Sequence, residues 1–371
     1  MSGIYRQLAA LSPERRTLLE RRLAERGLAA GRPAIPRRPE GAPAPLSFAQ
    51  QRLWFVQQLD PAGVAYNMMT ALRLQGPLDA GALRQAMAGL IARHEALRAR
   101  VESGPDGAPR QMVGEVPADP FATVDLAAAP DPLAAARARV SALAAAPYDL
   151  TRPPLRAELM RLGPEDHVLA LGLHHIAGDR WSMGVMVRDL AALYARAELA
   201  PAGQMPDLAA WQRGAGEDRL AADLDHWRAR LADAPALDLP LDRPRGEAPG
   251  RRGGFLPFAL SPELARAART AARARGVSLF TVLLAAFNLF LSRWCDADDV
   301  LVGSEMANRE RPETQTLVGP LVNTLVLRTD LSGVAGFEDA LARTAAVLRE
   351  AFARAEAPFE QVVEAVNPPG G

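Results

Sequence analysis

The sequence predicts an α/β protein, an α+β sandwich organised in two lobes. Segments with the period of a strand and segments with the period of a helix alternate irregularly in both halves of the chain. The chain has 371 residues, more than one average domain, and 49% of them are hydrophobic, which is enough for a sizeable core.

The composition excludes several classes of function. Lys plus Arg and Asp plus Glu both total 43, so no nucleic-acid partner and no acidic membrane surface is expected. Every basic residue apart from histidine is arginine, which excludes a Walker-type phosphate loop and a pyridoxal Schiff base, because both require lysine. Cys295 is the single cysteine and forms no internal disulfide. No membrane-spanning stretch and no signal-peptide core is found, so we expect a soluble cytoplasmic protein with no membrane partner.

Residues 1–45 are predicted to precede the compact part of the chain. The stretch 12–27 has the signals of a short charged helix, with Ser12 as N-cap and Gly27 as C-cap. The stretch 31–45 carries five prolines and is expected to form an extended spacer.

Residues 46–210 are predicted to form the N-terminal lobe. Helices are expected at 48–58, 79–101 and 182–196, the last with Ser182 as a possible cap. Strands are expected at 68–76 and near Val101, to which the second helix leads. Residues 155–175 read "LRAELMRLGPEDHVLALGLHH", which indicates a β-hairpin with its turn at "GPED".

Residues 211–371 are predicted to form the C-terminal lobe, together with the bridge that leads to it. The stretch 196–254 is rich in Pro, Gly and Asp and holds one predicted helix, at 220–232. The remaining predicted elements are a helix at 260–276, a buried helix at 278–294, strands at 299–309 and 321–330, and a helical segment at 337–366.

The stretch with the strongest functional pattern is "HHIAGDR", which follows the apolar strand of the hairpin. Adjacent strand residues point to opposite faces, so His174 and His175 do not easily share one metal ion, and no third ligand or H-E-x-x-H motif is present. A serine hydrolase would need glycine where Arg180 stands. One histidine is therefore expected to face a cavity and the other the fold, while Asp179 pairs with an arginine and holds the turn.

This stretch resembles the HHxxxDG signature of condensation domains from nonribosomal peptide synthetases. Further stretches resemble the motifs of that family in the same order, from residue 46 to residue 368: "LSFAQQRLWFVQQLDP", "RHEALRARV", "VLVGSEMANRERPETQTLVGPLVNTLVLR" and "APFEQVVEAVNP". The resemblance implies a chloramphenicol-acetyltransferase-like fold, with two lobes in a V-shaped pseudo-dimer and a tunnel between them.

The resemblance also implies the reaction. Donor and acceptor peptidyl carrier proteins present substrates tethered to 4'-phosphopantetheine, an adenylation domain is a neighbour, and the domain itself binds no cofactor and no metal. His175 is implied as the base or positioning group, with His174 in support. Asp179 is implied to pair with Arg309 across the two lobes and to hold the turn. Residues implied to line or gate the substrate tunnel are Arg180, Trp181, Ser182, Ser304, Glu305 and Asn323. The subtype it most resembles joins an L-configured donor to an L-configured acceptor.

The sequence departs from the family pattern at two facing motifs. Arg180 stands where the family has glycine, and Glu305 stands where an uncharged residue is common. We hypothesise that these two side chains pair and gate the acceptor side. The family also continues beyond the last matched motif, so the C-terminal lobe is expected to be incomplete. Two alternatives remain open: a catalytically silent, condensation-like recruitment module, and an acyltransferase that uses another thioester or a hydroxyl acceptor.

Overall fold

The structure is a computed structural model that describes residues 35–39, 41–214, 217–242 and 256–366. The helix predicted at 12–27 lies outside these residues. The chain divides into two compact units. Among the described residues, the first unit comprises 35–227, 305–324 and 355–366, and the second comprises 228–304 and 325–354. Each unit is therefore built from more than one segment of the chain. Residues 305–324 belong to the same unit as the histidine motif.

Strands and helices alternate along the described chain. The strands are β1 Ala44–Pro45, β2 Asn67–Gln75, β3 Ala99–Ser103, β4 Pro109–Val113, β5 Ala122–Asp125, β6 Leu155–Gly163, β7 Asp166–His174, β8 Asp299–Met306 and β9 Asn323–Asp330. The α-helices are α1 Phe48–Leu59, α2 Ala80–Arg93, α3 Pro132–Ala144, α4 Arg180–Tyr194, α5 Met205–Gly214, α6 Glu217–Leu231, α7 Pro262–Ala274, α8 Leu279–Cys295, α9 Phe337–Ala353 and α10 Phe359–Val366.

The main sheet of the first unit has the strand order β2-β7-β6-β5. The predicted hairpin is present: β6 and β7 pair antiparallel around a two-residue turn, Pro164 and Glu165, and β7 pairs antiparallel with β2 on its other side. A smaller sheet has the order β1-β4-β3. Because β7 pairs with a neighbour on each side, the backbone at its end is hydrogen-bonded to both β2 and β6.

Strand β7 is buried on both faces, which explains its nearly unbroken apolar sequence. Leu169, Leu171 and Leu173 belong to the main core cluster, together with residues of α2 and α4. Val168 and Ala170 face the opposite side and pack with Ala136 of α3. The sheet is thus covered by helices on both faces, the sandwich that the sequence predicts.

Several helix boundaries differ from the prediction, and two of them involve buried aspartates. Helix α4 begins at Arg180, and its N-cap is Asp179 rather than Ser182, because the Asp179 carboxylate accepts the Ser182 N–H. Helix α2 ends at Arg93 rather than continuing toward Val101. His94 has an extended backbone and is buried, with its Nε2 3.0 Å from Asp189 Oδ2. This long-range contact ends the helix.

The second unit contains α7, α8, α9 and most of β8 and β9, which pair as a two-stranded sheet. Helix α8 packs against α9, but it is not the fully buried helix that the sequence predicts: large apolar side chains on one face are exposed, namely Phe280, Leu283, Phe287, Phe290 and Trp294. The described residues of the bridge hold two helices, α5 and α6, where one was predicted. No single described helix is long and apolar enough to cross a membrane, and α7 with α8 meets that test only as a pair bent by 108°.

Candidate active site

The histidine pair lies where β7 leaves the sheet. His174 is the last residue of the strand, and His175 begins a one-turn 3-10 helix, His175–Ala177. The His174 N–H donates to Pro154 O at 3.1 Å. The His175 N–H donates to Tyr66 O at 2.9 Å. The chain therefore turns between the two residues, and their side chains have different surroundings.

His174 faces the interior and is 0% exposed. Its Nδ1 accepts the Ile176 N–H at 3.1 Å, which holds the 3-10 turn. Burial, and secondarily the charges of His175 and Arg156, lower the pKa of His174 to about 4. His174 is consequently neutral near pH 7, and because Nδ1 is an acceptor, the ring proton lies on Nε2.

His175 is the partly exposed member of the pair. Its Nδ1 is buried and has no hydrogen-bond partner among the described residues. The Tyr66 ring lies edge-on to the imidazole, with 6.4 Å between ring centroids. Nε2 is therefore the ring nitrogen that is available to a reactant.

Gly178 allows the turn to pass close to the first turn of α4. A Cβ atom at this position would lie 2.7 Å from Leu173 Cδ2 and 3.0 Å from Ser182 Cβ. The backbone itself is extended, with φ of −177°, so the requirement is for space rather than for an unusual conformation.

The Asp179 carboxylate is completely buried, and the fold uses both of its oxygens. Oδ1 accepts the N–H and the hydroxyl of Ser182, each at 2.8 Å. Oδ2 accepts the Leu321 N–H at 3.1 Å. Arg309 Nη2 lies 3.0 Å from both oxygens. Asp179 is therefore a helix cap and an ion-pair partner within the fold.

Arg309 connects Asp179 to the loop that leads to β9. Its Nη1 donates to Thr314 O and Leu317 O at 2.6 Å each, and its Nη2 also donates to Gly319 O at 3.0 Å. Burial lowers the pKa of Arg309, whereas the neighbouring Asp179 carboxylate raises it. Both residues belong to the first unit, so this ion pair is internal to that unit.

A pair of buried glutamines also holds the turn, and sequence reasoning missed it. Gln50 of α1 donates through Nε2 to Ile176 O and to Gln111 Oε1, both at 3.0 Å. Gln111 of β4 donates in turn to Pro45 O at 2.8 Å. Gln50 stands beside the exposed Gln51, and in the local sequence only the capping box that Gln50 forms with Ser47 separates the two residues.

The other expected tunnel residues have different surroundings. Trp181 is 47% exposed, and its Nε1–H donates to Gln315 O at 2.9 Å. Ser182 is buried and bonded to Asp179. Asn323 is also buried: its amide donates to Ala355 O and Ala357 O, and its oxygen accepts the Phe359 N–H. The polar atoms of Ser182 and Asn323 are thus engaged within the protein.

Arg180 and Glu305 are both exposed, and Ser304 is partly buried in β8. Within the described part of the chain, Arg180 and Glu305 form no ion pair or hydrogen bond with each other, so the pair hypothesised from the sequence is absent. Arg180 remains an exposed cation at the first position of α4, five residues after His175.

Comparisons with known proteins bear on the family and the fold of the chain. The family model described as "Condensation domain" matches residues 42–371. Phosphinothricin tripeptide synthetase PhsC of Streptomyces viridochromogenes is 40% identical over 377 residues, which cover 98% of this chain and 35% of that protein. Malpibaldin synthetase of Mortierella alpina is 38% identical over 351 residues, which cover 90% of this chain and 6% of that protein. The chain thus spans about a third or less of the length of these synthetases.

Solved structures show the same similarity. A complex of the X-domain and OxyB from teicoplanin biosynthesis matches with a TM-score of 0.81 and 30% identity, over 92% of this chain and 77% of that chain. The first condensation domain of the calcium-dependent antibiotic synthetase, in complex with a substrate analogue, matches with a TM-score of 0.72 and 26% identity, over 89% and 80%. The predicted chloramphenicol-acetyltransferase-like α/β fold is confirmed. The chain belongs to the condensation-domain family of nonribosomal peptide synthetases.

Proposed function

We propose that this domain forms an amide bond between two tethered substrates. The observation that carries the proposal is the contrast within the histidine pair: His174 is buried and neutral, whereas His175 leaves Nε2 available on a turn fixed by buried hydrogen bonds. This is the arrangement that an acid–base or positioning group requires.

In the proposed reaction, the amine nitrogen of the acceptor attacks the carbonyl carbon of the donor thioester. The C–N bond forms, the C–S bond breaks, and the thiol leaves with the proton that the amine loses. His175 Nε2 accepts or orients that proton. An α-amino group has a reference pKa of about 7.7, so full base catalysis, roughly 10²–10⁴ in rate, is not required for every turnover. Holding two tethered reactants together contributes at least as much.

The proposed substrates are a donor acyl or peptidyl group and an acceptor aminoacyl group, each on the 4'-phosphopantetheine arm of a carrier protein. The proposed partners are the donor and acceptor peptidyl carrier proteins and a neighbouring adenylation domain. The names of the synthetases to which the chain is similar support this assignment. The domain contributes His175 and the support of His174, Asp179 and Arg309, and we propose no bound cofactor.

We further propose that Arg180 restricts the acceptor side. Its guanidinium is exposed and has no ion-pair partner among the described residues, because the adjacent carboxylate of Asp179 pairs with Arg309. Arg180→Gly is expected to widen access and increase turnover of bulky acceptors. Arg196→Gly is the matched control, because Arg196 has a left-handed backbone that accepts glycine. Equal turnover in the two variants would contradict gating.

The direct test measures amide formation between two loaded carrier proteins. The unmodified chain is expected to form the amide, and His175→Ala is expected to lose most of the activity. An alcohol acceptor run in parallel tests the hydroxyl alternative, and preferential ester formation would replace the proposal with it.

A second candidate is a recruitment module without catalysis. Arg180 in the histidine motif and the similarity to an X-domain solved with a bound protein favour it. Amide formation that is absent in the unmodified chain, with capture of a partner protein that survives His175→Ala, would support this candidate instead.

A further inference from the structure

Three polar atoms behind the histidine motif are buried without a hydrogen-bond partner among the described residues. They are His174 Nε2, Tyr148 Oη and Asn67 Oδ1. Asn67 of β2 lies directly opposite His174 of β7, so their side chains share one face of the sheet. The rings of Tyr148 and His174 lie 5.7 Å apart between centroids. The unpartnered atoms therefore belong to neighbouring side chains.

Both rings are deeply buried, with His174 0% and Tyr148 5% exposed. Buried polar groups in folded proteins nearly always have a partner, either in the protein or in an ordered water molecule. Internal waters typically bind where two to four such groups converge. Here three groups are available for one site.

The donors and acceptors are complementary. His174 Nδ1 already accepts the Ile176 N–H, so Nε2–H is a donor. The Asn67 amide nitrogen donates to Ala144 O and Ala146 O, which leaves Oδ1 as an acceptor. Burial raises the pKa of Tyr148 to about 12, so its hydroxyl remains protonated and both donates and accepts. A water molecule can satisfy all of these groups at once.

The position of the Tyr148 hydroxyl is fixed by its neighbours. Arg156 lies over the ring, 3.7 Å from the centroid, and donates to Ala146 O at 2.6 Å. Gly172 allows the hydroxyl to lie close to the backbone of β7: a Cβ atom there would lie 2.9 Å from Tyr148 Oη and 2.7 Å from Met69 Cε. The Arg156 contact and the absence of a side chain at Gly172 both keep the Tyr148 hydroxyl beside His174.

We propose that an internal water molecule binds between Tyr148 Oη, His174 Nε2 and Asn67 Oδ1, and that Tyr148 is thereby a positioning residue for His175. His174 Nε2–H donates a hydrogen bond to the water, which holds the tautomer in which Nδ1 accepts the Ile176 N–H. That bond keeps the turn on which His175 stands. The expected effect on the reaction rate rests on the proposed amide-forming function, whereas the bound water and the tautomer of His174 do not.

The first experiment is NMR of the unmodified chain labelled with ¹⁵N-histidine, at neutral pH. We expect His174 to be neutral with its proton on Nε2, and to show magnetisation transfer between that proton and a long-lived water. A His174 proton on Nδ1, or the absence of a bound water in this spectrum, would overturn the proposal even if amide formation is intact.

The second experiment compares Tyr148→Phe with Tyr194→Phe, which removes a hydroxyl that accepts the exposed Asp79 N–H. Only Tyr148→Phe is expected to shift the His174 Nε2 resonance and to slow single-turnover amide formation by roughly three- to tenfold, with unchanged apparent KM. Gly172→Ala, which places a methyl group against the Tyr148 hydroxyl, is expected to shift the same His174 Nε2 resonance. Identical His174 spectra in all variants would refute the inference. If the unmodified chain forms no amide, the proposed function fails, and the spectra still decide whether the water molecule binds between Tyr148, His174 and Asn67.

Discussion

Replacing Arg309 tests whether the buried ion pair holds the catalytic turn. Arg309→Leu removes the charge that faces the Asp179 carboxylate and the donors to Thr314 O and Leu317 O. The side chains of Arg309 and Asp179 are 1% and 0% exposed, so water does not readily replace the lost contacts. Breaking a buried pair from one side costs about 3–5 kcal/mol of the free energy of unfolding. We expect about 4 kcal/mol here, because Asp179 keeps its bonds from Ser182 and Leu321.

The assay is urea unfolding of the single and double variants. Asp179→Asn keeps a side chain that caps α4 but removes the charge, so the double variant Asp179→Asn/Arg309→Leu contains no unpaired buried charge. The double variant is expected to lose less free energy than the sum of the two single losses, by about 1–3 kcal/mol. Arg73→Leu, which breaks the exposed pair with Asp166, is the control and is expected to change stability far less.

The result that refutes this reasoning is specific. If Arg309→Leu unfolds within about 1 kcal/mol of the unmodified chain, the pair does not hold the turn. If the two single losses add in the double variant, the two charges do not compensate each other.

Further predictions concern the same turn. The pKa of His174 in the folded chain, about 4, lies below its ordinary value of 6.5, so the folded state binds fewer protons than the unfolded state between these values. The contribution of His174 to stability is therefore complete above about pH 6.5 and is lost as the pH falls toward 4. This amounts to about 3 kcal/mol, and urea unfolding across that range should show a slope that His174→Asn reduces. Gly178→Ala is expected to cost about 1–3 kcal/mol because of the clash with buried groups, whereas Gly184→Ala in α4, where a Cβ meets open space, should stabilise the chain in the same thermal unfolding assay. Gln50→Leu is expected to slow amide formation several-fold, since Ile176 O loses its donor, and Gln51→Leu, an exposed neighbour, should not.

Elements defined by local patterns were predictable from the sequence. The β6–β7 hairpin follows from two strand-like stretches on either side of the turn "GPED", and β7 is recognisable because burial on both faces requires a continuous apolar run. The end of α2 was not predictable, because His94 leaves the helix to contact Asp189, 95 residues away. The exposed face of α8 was missed for the opposite reason: an apolar sequence does not state which of its faces has a neighbour.

The site was predictable only in part. The Asp179–Arg309 contact was expected from the family resemblance, and its residues lie together in the structure. The roles of Ser182 and Asn323 as tunnel residues were expected in the same way, yet their polar atoms bond within the protein. The capping box of Ser47 and Gln50 is a local signal, but the contacts of Gln50 with Gln111 and Ile176 depend on elements that are distant in sequence.

The contacts that fix the turn indicate which residues position His175 and which residue is left for proton transfer. Tyr66 O holds the His175 backbone, Gln50 holds Ile176 O, and Arg309 holds Asp179. All of these residues belong to the first unit, so the position of His175 is set within that unit. Asp179 is saturated by its cap and its ion pair, and His174 is neutral with Nδ1 already engaged, so neither is free to exchange a proton with a substrate. The proposed proton transfer therefore falls to His175 Nε2, and a variant of Asp179 is expected to impair the reaction through loss of stability of the turn rather than through a changed pH dependence of the chemical step.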